Sequence, residues 1–200
     1  YGGGKGINIV EGNVIWSAGE GIQVVSDAII RNNVIFNCEM TGITSAPHAA
    51  VPHVRNVQIV NNTLINHPKG VLIRWDKAQD MIFANNAIYC AGSTALDASG
   101  ANNGTFIANY IEGGLTGLTI DGSGFRDGGT TSAVFAEPAA NNFWPRPGSV
   151  LIDHADGALA SDMDFNHSAR KAPFDVGAYE SDGSATNPGW QIRAGFKNRN

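Results

Sequence analysis

Four charged residues in a weakly charged chain could carry chemistry: Arg74, Lys77, Asp97 and Asp121. Charged residues make up only 16% of the 200 residues, and these four lie in or just after short apolar segments that recur along the chain. Cations beside an acidic substrate could neutralise its carboxylate while a base removes a proton. Two carboxylates on either side of a glycosidic bond could instead hydrolyse it. Either chemistry requires a fold that brings such side chains together.

A sequence repeat supplies the elements that would position them. An Asn recurs every 20 to 29 residues, at Asn13, Asn33, Asn62, Asn86 and Asn109. A short apolar segment precedes each Asn (the pre-Asn strand, "INIV" in the first copy), and another follows it (the post-Asn strand, "VIW"). A third segment usually opens with Gly (the glycine strand, "GIQVV"), at Gly21, Gly42, Gly70 and Gly117; the fourth copy, "TALDA", lacks the Gly. Three short strands per repeat, with no helical segment, predict an all-β solenoid of stacked coils.

Stacking predicts columns of inward side chains, because each strand pairs with its copies about 4.8 Å above and below. The expected columns are Ile15, Ile35, Leu64, Ile88 and Ile111; Val10, Ile30, Ile59, Phe83 and Phe106; and Ile22, Ile43, Val71 and Leu118. The repeated Asn amides are expected to bond to one another along a further column. A β-sandwich is the alternative fold, but it would not keep the same Asn and Gly at matched offsets through five copies.

One stripe of large apolar residues lies three positions past each Asn, and it comprises Trp16, Phe36, Ile65 and Tyr89. Strict alternation would turn these side chains outward, where aromatic rings could stack on sugars. We expect instead that the strand bends and packs them, or that a loop or the tail of the chain covers them.

Composition argues against two kinds of partner. A net charge of −5 without a basic stripe argues against nucleic acid. No apolar run approaches the length of a membrane span. Cys38 and Cys90 lie two coils apart in the predicted register, about 10 Å, so they are expected to be free thiols.

The repeat resembles the right-handed parallel β-helix proteins of the pectate-lyase-like superfamily, from about residue 5 to residue 121. In that superfamily a two-residue turn between strands often carries Asn, which suits left-handed backbone geometry. Here the turns are Gly12-Asn13, Asn32-Asn33, Asn61-Asn62, Asn85-Asn86 and Ala108-Asn109. The segments "PGSVLIDHADG" and "DFNHSARKAPFDVGAYE" resemble the "DIGAYE"-type closing segment of secreted bacterial β-helix proteins.

This resemblance implies a secreted, cell-surface or periplasmic bacterial protein whose closing segment caps the open end of the last coil. Residues 1–121 are the expected β-helix coils, 122–180 the last turns and C-terminal cap, and 181–200 a linker and tail. Within the cap, the charged residues Arg170, Asp153, Asp164 and Asp175 are expected to pair internally. The first copy lacks its glycine strand before Tyr1, so we expect a C-terminal portion of a longer β-helix, with the missing N-terminal coils as another chain or a removed segment.

The resemblance also implies where a polysaccharide would bind. Polysaccharide-active β-helices carry a groove along the outward side of the strand that corresponds to the glycine strand, and along its flanking loops. The outward positions expected here are Gln23, Thr44, Leu72, Arg74, Asp97, Thr119 and Asp121, flanked by Asp76 and Lys77 and by an insertion at 45–55 that carries His48, His53 and Arg55. As in β-helix lyases, Arg74 and Lys77 are the expected base and carboxylate clamp, and Asp97 and Asp121 the expected Ca²⁺ ligands. Gln23, Thr44, His48, His53 and Asp76 are the expected substrate contacts.

Three functions remain open at this point. The leading expectation is a polysaccharide lyase that performs β-elimination on a uronate-containing polymer. The alternatives are a non-catalytic glycan-binding or structural module, and a glycoside hydrolase that uses Asp97 and Asp121, one coil apart on the same side. The same fold serves all three, so the lyase hypothesis depends on whether Arg74, Lys77, Asp97 and Asp121 converge on one groove.

Overall fold

The chain winds into coils of short parallel strands, as the repeat predicts. The computed structural model describes residues 6–49, 52–100, 103–121 and 124–193. The pre-Asn sheet consists of β1 (Asn8–Glu11), β4 (Ser26–Arg31), β7 (Arg55–Val60), β10 (Gln79–Ala84) and β12 (Gly104–Ile107). The post-Asn sheet consists of β2 (Val14–Trp16), β5 (Val34–Phe36), β8 (Thr63–Ile65), the first parts of β11 (Ala87–Asp97) and β13 (Asn109–Thr116), and β14 (Phe125–Asp127). The glycine sheet consists of β3 (Glu20–Gln23), β6 (Thr41–Ser45), β9 (Lys69–Ile73) and the last parts of β11 and β13.

The strand register confirms two of the predicted core columns in full. Successive partners in the post-Asn sheet run Ile15, Ile35, Leu64, Ile88, Ile111, and in the pre-Asn sheet they run Val10, Ile30, Ile59, Phe83, Phe106. These columns form the interior of the solenoid, where Phe125 packs on Phe106 and Phe83 at ring-centroid distances of 5.7 and 6.1 Å. Cys38 and Cys90 are buried and free, as predicted.

The fifth coil departs from the predicted register. The third column runs Ile22, Ile43, Val71, Leu96 and Leu115, so Leu118 does not belong to it. The physical cause lies at Gly113, whose φ of +120° bends the chain directly into the glycine sheet. The fifth coil therefore turns this corner in fewer residues than the others, and β13 ends at Thr116, before the predicted strand "GLTID" begins. The prediction that Thr119 and Asp121 lie on the outward side of this strand is wrong for the same reason.

The Asn at the second position of each turn belongs to the predicted amide column. The side-chain Nδ2 of the first four donates to the Oδ1 of the Asn one coil further along, at 3.0 Å from Asn13 to Asn33, 2.9 Å from Asn33 to Asn62, 3.0 Å from Asn62 to Asn86 and 3.0 Å from Asn86 to Asn109. The same oxygens accept a backbone N–H from the preceding coil. The donors also reach strand carbonyls, such as Ile30 from Asn62 at 2.9 Å. From Asn33 onward these side chains are completely buried, so the column pairs polar groups that water cannot reach.

The first residue of each turn has a different task. Gly12, Asn32, Asn61, Asn85 and Ala108 all have left-handed backbone geometry, with φ between 51° and 64°. Asn32, Asn61 and Asn85 turn their amides outward, onto the C-terminal segment. The coils with Gly12 and Ala108 at this position have no such amide. The Asn-Asn pairs therefore mark the three middle coils as the docking surface of that segment.

The C-terminal segment, residues 128–193, lies along the side of the solenoid. Its regular elements are α1 (Thr131–Val134), β15 (Phe135–Glu137), a 3-10 helix (Pro138–Ala140) and β16 (Asn142–Pro145), with β15 antiparallel to β16. The backbone amide of Ser161 donates to Asn61 Oδ1 at 3.1 Å, and that of Asp156 donates to Asn85 Oδ1 at 2.8 Å. The backbone amide of Gly177 donates to the backbone carbonyl of Asn85 at 2.8 Å. The predicted position of this segment as a cap over the end of the last coil is not confirmed, because its hydrogen bonds join it to three successive middle coils.

The stripe past each Asn explains why the segment docks on this side. Phe36, Ile65 and Tyr89 point outward and form a second apolar core with the C-terminal segment. Phe143 packs on Phe36 with ring centroids 5.2 Å apart, and Phe135 packs on Tyr89 at 4.9 Å. The expectation that a loop or the tail of the chain covers this stripe is confirmed for three of its members, and the covering rings come from residues 135–143, ahead of the predicted tail. Trp16, in the first coil, stacks on Phe36 and stays 41% exposed.

A buried arginine organises the C-terminal segment. The Arg170 side chain is completely buried and pairs with Glu180 at 3.0 Å, not with the three predicted aspartates. It also donates to the Gly177 carbonyl at 2.7 Å and to Asn32 Oδ1 at 3.0 Å. Asp175 instead accepts backbone amides of Asp153 and Ser181, and burial raises its pKa to about 6. The sequence predicts an internal network correctly, but its partners are mostly backbone groups.

Replacing Asn62 by Leu should destabilise the protein by about 1–3 kcal/mol, because the backbone amide of Asn33, its side chain and the oxygen of Asn86 would lose buried partners. Urea denaturation measures this loss. Asn13→Leu is the control, since Asn13 is exposed at the end of the column and should cost less. Equal unfolding free energies for Asn62→Leu and the unmodified protein would contradict the role of the column.

Asn61→Gly keeps the left-handed turn and removes only the amide that holds the C-terminal segment. We expect faster cleavage within residues 146–193 under limited proteolysis, while the coils stay resistant. Ala108→Gly is the matched control, because it makes the same residue at the same turn position without removing an amide. Cleavage at the same rate in Asn61→Gly and Ala108→Gly would show that Asn61 does not hold the segment.

Candidate polysaccharide-binding site

The glycine sheet presents a ladder of outward side chains. Its register aligns Gln23, Thr44, Leu72, Asp97 and Thr116 on successive coils. The first four positions agree with the sequence prediction. Thr116 takes the place predicted for Thr119 and Asp121, because the fifth coil is shorter at its corner. The glycine sheet therefore carries one carboxylate on this ladder, and the predicted pair of Asp97 and Asp121 one coil apart is not formed.

Asp97 is the centre of an ionic cluster on this sheet. Both its carboxylate oxygens bond to the Arg74 guanidinium, at 3.0 and 3.1 Å, and Lys69 Nζ donates to it at 2.7 Å. The Ser99 hydroxyl and backbone amide donate to it as well, at 2.7 and 3.1 Å. The hydrogen bonds from Arg74 hold the pKa of Asp97 well below its usual range, and those from Lys69 and Ser99 add to the effect. The carboxylate is consequently ionised, and both its oxygens already accept hydrogen bonds from Arg74, Lys69 or Ser99.

Lys69 is the member of this cluster that sequence reasoning missed. It begins β9 and pairs with Thr94 of β11, next to the bulge that lets β11 continue into Asp97. Two cations share one carboxylate, so the cluster carries a net positive charge. The side chains of Lys69 and Arg74 remain 32% and 36% exposed. In the sequence, the signal for Lys69 is its place directly before Gly70 in "KGVLIR". In the register of the glycine sheet it pairs with Thr41 of the previous coil.

The loops that join the glycine sheet to the next coil form two neighbouring cavities. The longer loop, 46–54, follows β6, and the structure describes its residues 46–49 and 52–54. One cavity, of about 410 Å³, is lined by Gln23, Thr44 and His48, which the sequence predicts as substrate contacts, together with the interior residues Val10, Ile22 and Ile30 of the first two coils. The other, of about 190 Å³, lies between this loop and the loop 74–78 and is lined by His53, Asp76 and Lys77. Pro47 lines both cavities, so they adjoin at the base of the longer loop.

The four predicted catalytic residues fall into three places. Arg74 and Asp97 meet in the ionic cluster. Lys77 lines the cavity with His53, a cavity to which neither Arg74 nor Asp97 contributes. Asp121 lies past the end of β13, where its 73% exposed side chain pairs with Arg126 at 3.1 Å. Arg74 and Asp97 therefore lie together, whereas Lys77 and Asp121 each lie apart from them.

The residues predicted to bind Ca²⁺ do not fit that ion. Calcium takes six to eight oxygen ligands. The oxygens of Asp97 already accept from two cations and Ser99, and Asp121 is not beside them. In the part of the chain that the structure describes, no group of three or more His, Cys, Asp or Glu side chains could hold a metal ion.

Comparison with known families addresses the architecture. The model of a family described as "Right handed beta helix region" matches residues 2–88, which comprise the first three coils and part of the fourth. The fold is a right-handed parallel β-helix. No curated protein matches the chain. The family description names a structure and not an activity, so the function of this β-helix has to be argued from its site. Among the residues described, none of the helices is long and apolar enough to cross a membrane.

Asp97→Asn should lower the melting temperature at pH 7, because it leaves Arg74 and Lys69 as unneutralised neighbours. The folded-state pKa of Asp97 lies below its unfolded value of about 3.9, so its contribution is complete above that pH and is lost as the pH falls through the folded-state pKa. The difference between protein and variant should therefore stay constant from pH 7 to about pH 5. Asp121→Asn, on an exposed ion pair, should change the stability by less than about 1 kcal/mol. A difference that already vanishes at pH 5 would contradict the assignment.

Proposed function

We propose that this β-helix is an extracellular module that binds an acidic polysaccharide along the glycine sheet and its loops. The observation that supports the proposal is the set of cations on this side of the solenoid. Lys69 and Arg74 leave a net positive charge around Asp97. Lys77 lines the neighbouring cleft between the two loops together with Asp76 and His53, and Arg55, which pairs with Asp27 at 3.1 Å, lies beside it. Guanidinium and ammonium groups suit carboxylates and sulfates, which recur along acidic polysaccharides.

The rest of the surface supports this choice of side. The C-terminal segment covers the post-Asn sheet, and its own buried charges are paired internally. The glycine sheet and its loops have no such cover in the described structure and contain the cleft at His53 and Lys77. A polymer running along the solenoid axis would pass this cleft and the ionic cluster, because the two loops follow the neighbouring strands β6 and β9 and Asp97 lies on the next strand of the same sheet.

Binding without cleavage fits the geometry better than catalysis. An elimination needs a base and a carboxylate clamp at one sugar, whereas Arg74 is held by Asp97 and Lys77 lies in the cleft with His53. A hydrolase needs two carboxylates across one bond, and Asp97 and Asp121 do not provide them. Elimination stays a second candidate on one observation. Lys77 and His53 line the same cleft, and an amine or an imidazole can accept or donate a proton.

The binding proposal predicts a salt-sensitive affinity for a polyuronate such as polygalacturonate. Lys77→Ala should weaken binding about two- to fivefold at low ionic strength, the loss expected for one exposed charge contact, and the effect should shrink at high salt. Isothermal titration calorimetry measures both. Lys171→Ala is the control, because Lys171 lies on the C-terminal segment, at a different cavity. Equal losses in the two variants, or no binding to any acidic polymer at low salt, would refute the proposal.

Incubation with polyuronates tests the second candidate. Elimination forms an unsaturated uronate that absorbs in the ultraviolet, so a rising absorbance that Lys77→Ala abolishes would favour a lyase. A flat signal with measurable binding is the expected result for a non-catalytic module.

A further inference from the structure

A further cavity, of about 340 Å³, lies between the solenoid and the C-terminal segment. Its solenoid wall includes Asn37 and Asn66, at the corner that follows the post-Asn sheet, and its opposite wall includes Asn141, directly before β16. In the described structure it shares no lining residue with the cleft at His53 and Lys77. Its volume lies within the range of small-molecule sites, so it can hold a ligand of its own.

The two amides on the solenoid wall are held in place by the protein itself. Asn37 and Asn66 occupy equivalent positions one coil apart, and both have left-handed backbone geometry, with φ of 53° and 56°. The Nδ2 of Asn66 donates to the Oδ1 of Asn37 at 2.7 Å, and the two exposed side chains make no other hydrogen bond within the described residues. The Nδ2 of Asn37 is therefore available as a donor and the Oδ1 of Asn66 as an acceptor. Groups that are ordered in advance lose little entropy when a ligand binds.

The polar lining of this cavity is uncharged. Among the residues described, no Asp, Glu, Lys, Arg or His lines it. The hydroxyls of Thr131 and Tyr89 donate to Glu112 and to the Gly128 carbonyl, so they are engaged within the protein. The side chain of Asn141 makes no hydrogen bond in the described part of the chain, so its amide faces the other two with its donors and acceptor available. An amide both donates and accepts, as a hydroxyl does, so the fitting ligand is neutral and carries hydroxyl groups.

Apolar groups occupy the space between these amides. Ala91 on the solenoid wall and Ala139 on the opposite wall are exposed, and Pro138 beside Ala139 is half-buried. A pyranose ring has an apolar side of C–H groups and a rim of hydroxyls, so it matches aliphatic walls edged with amides. A peptide is disfavoured, because the solenoid strands beside the cavity, β5, β8 and the first part of β11, are paired along both edges and cannot accept an added strand.

We propose that this cavity binds a neutral sugar unit of a glycan. The amides of Asn37, Asn66 and Asn141 bind the hydroxyls of the sugar, and its C–H side lies against Pro138 and Ala139. The inference goes beyond the proposed function, because the ligand is uncharged and the cavity lies between the solenoid and the C-terminal segment, apart from the loops of the glycine sheet.

Nuclear magnetic resonance titration of the full chain with neutral oligosaccharides tests the proposal. The probes are cellohexaose, mannohexaose, xylohexaose and chitohexaose, with a glutamine-rich peptide of similar length as the amide-bearing alternative. At least one sugar should bind and shift the side-chain amide resonances of Asn37, Asn66 and Asn141, with an affinity that salt does not change, because no charge takes part. Binding of the peptide and of none of the sugars, or no binding at all, would overturn the inference. Either result leaves the binding of acidic polysaccharides at the glycine sheet untouched, since calorimetry with polygalacturonate measures that separately.

Asn37→Gly and Asn66→Gly separate the site from the scaffold. Glycine adopts the same left-handed geometry, so the melting temperature should stay close to that of the unmodified protein. Each variant should weaken binding of the sugar about two- to tenfold, the loss expected for one hydrogen bond. Ser17→Gly is the matched control, because Ser17 holds the equivalent position in the first coil, with φ of 52°, and does not line the cavity. Unchanged affinity in both Asn variants, or an equal loss in Ser17→Gly, would overturn the assignment.

Discussion

The amide column of Asn13, Asn33, Asn62, Asn86 and Asn109 is the interaction on which the rest of the structure depends. A parallel strand can slip along its neighbour, and a slip of one residue would turn every inward side chain outward. From Asn33 onward, each Asn in the column accepts from the backbone and side chain of the Asn in the previous coil, so any slip would leave buried donors unpaired. The column therefore fixes the register of all three sheets, including the outward ladder of the glycine sheet.

The Asn-Asn pairs combine this task with a second one. In the three middle coils, the second Asn points inward and holds the register, and the first points outward and holds the C-terminal segment. That segment covers Phe36, Ile65 and Tyr89, so the post-Asn sheet is buried on both sides in the three middle coils. The side of the solenoid that carries the post-Asn stripe is thereby covered, and the side with the loops 46–54 and 74–78 has no such cover in the described structure.

Most of the solenoid could be predicted from the sequence because its signals are local and repeated. The Asn and the apolar residues around it recur at matched offsets, which is enough to give the columns at Ile35 or Phe83. The fifth coil could not be predicted, because a single glycine with positive φ, Gly113, shortens its corner. The position of the C-terminal segment depends on contacts between distant residues, such as Ser161 with Asn61, which no repeat encodes.

The candidate site was only partly predictable for a related reason. The strand register predicts that Thr44 and Asp97 lie on the outward ladder. It does not predict which side chains of the adjacent coils contact them. Lys69 reaches Asp97 from the adjacent strand, and the loops at Pro47 and Lys77 take shapes that follow from no repeat. The cleft at Pro47 and Lys77 depends on the conformations of these loops, which the repeat does not encode.

Hydrogen exchange with and without a bound acidic polysaccharide tests the account most directly, because it reports on every side of the solenoid in one experiment. The account predicts added protection in the loops 46–54 and 74–78 and in the adjoining ends of β6 and β9, with none in residues 128–193. Protection confined to the C-terminal segment, with unchanged exchange in the two loops, would contradict it.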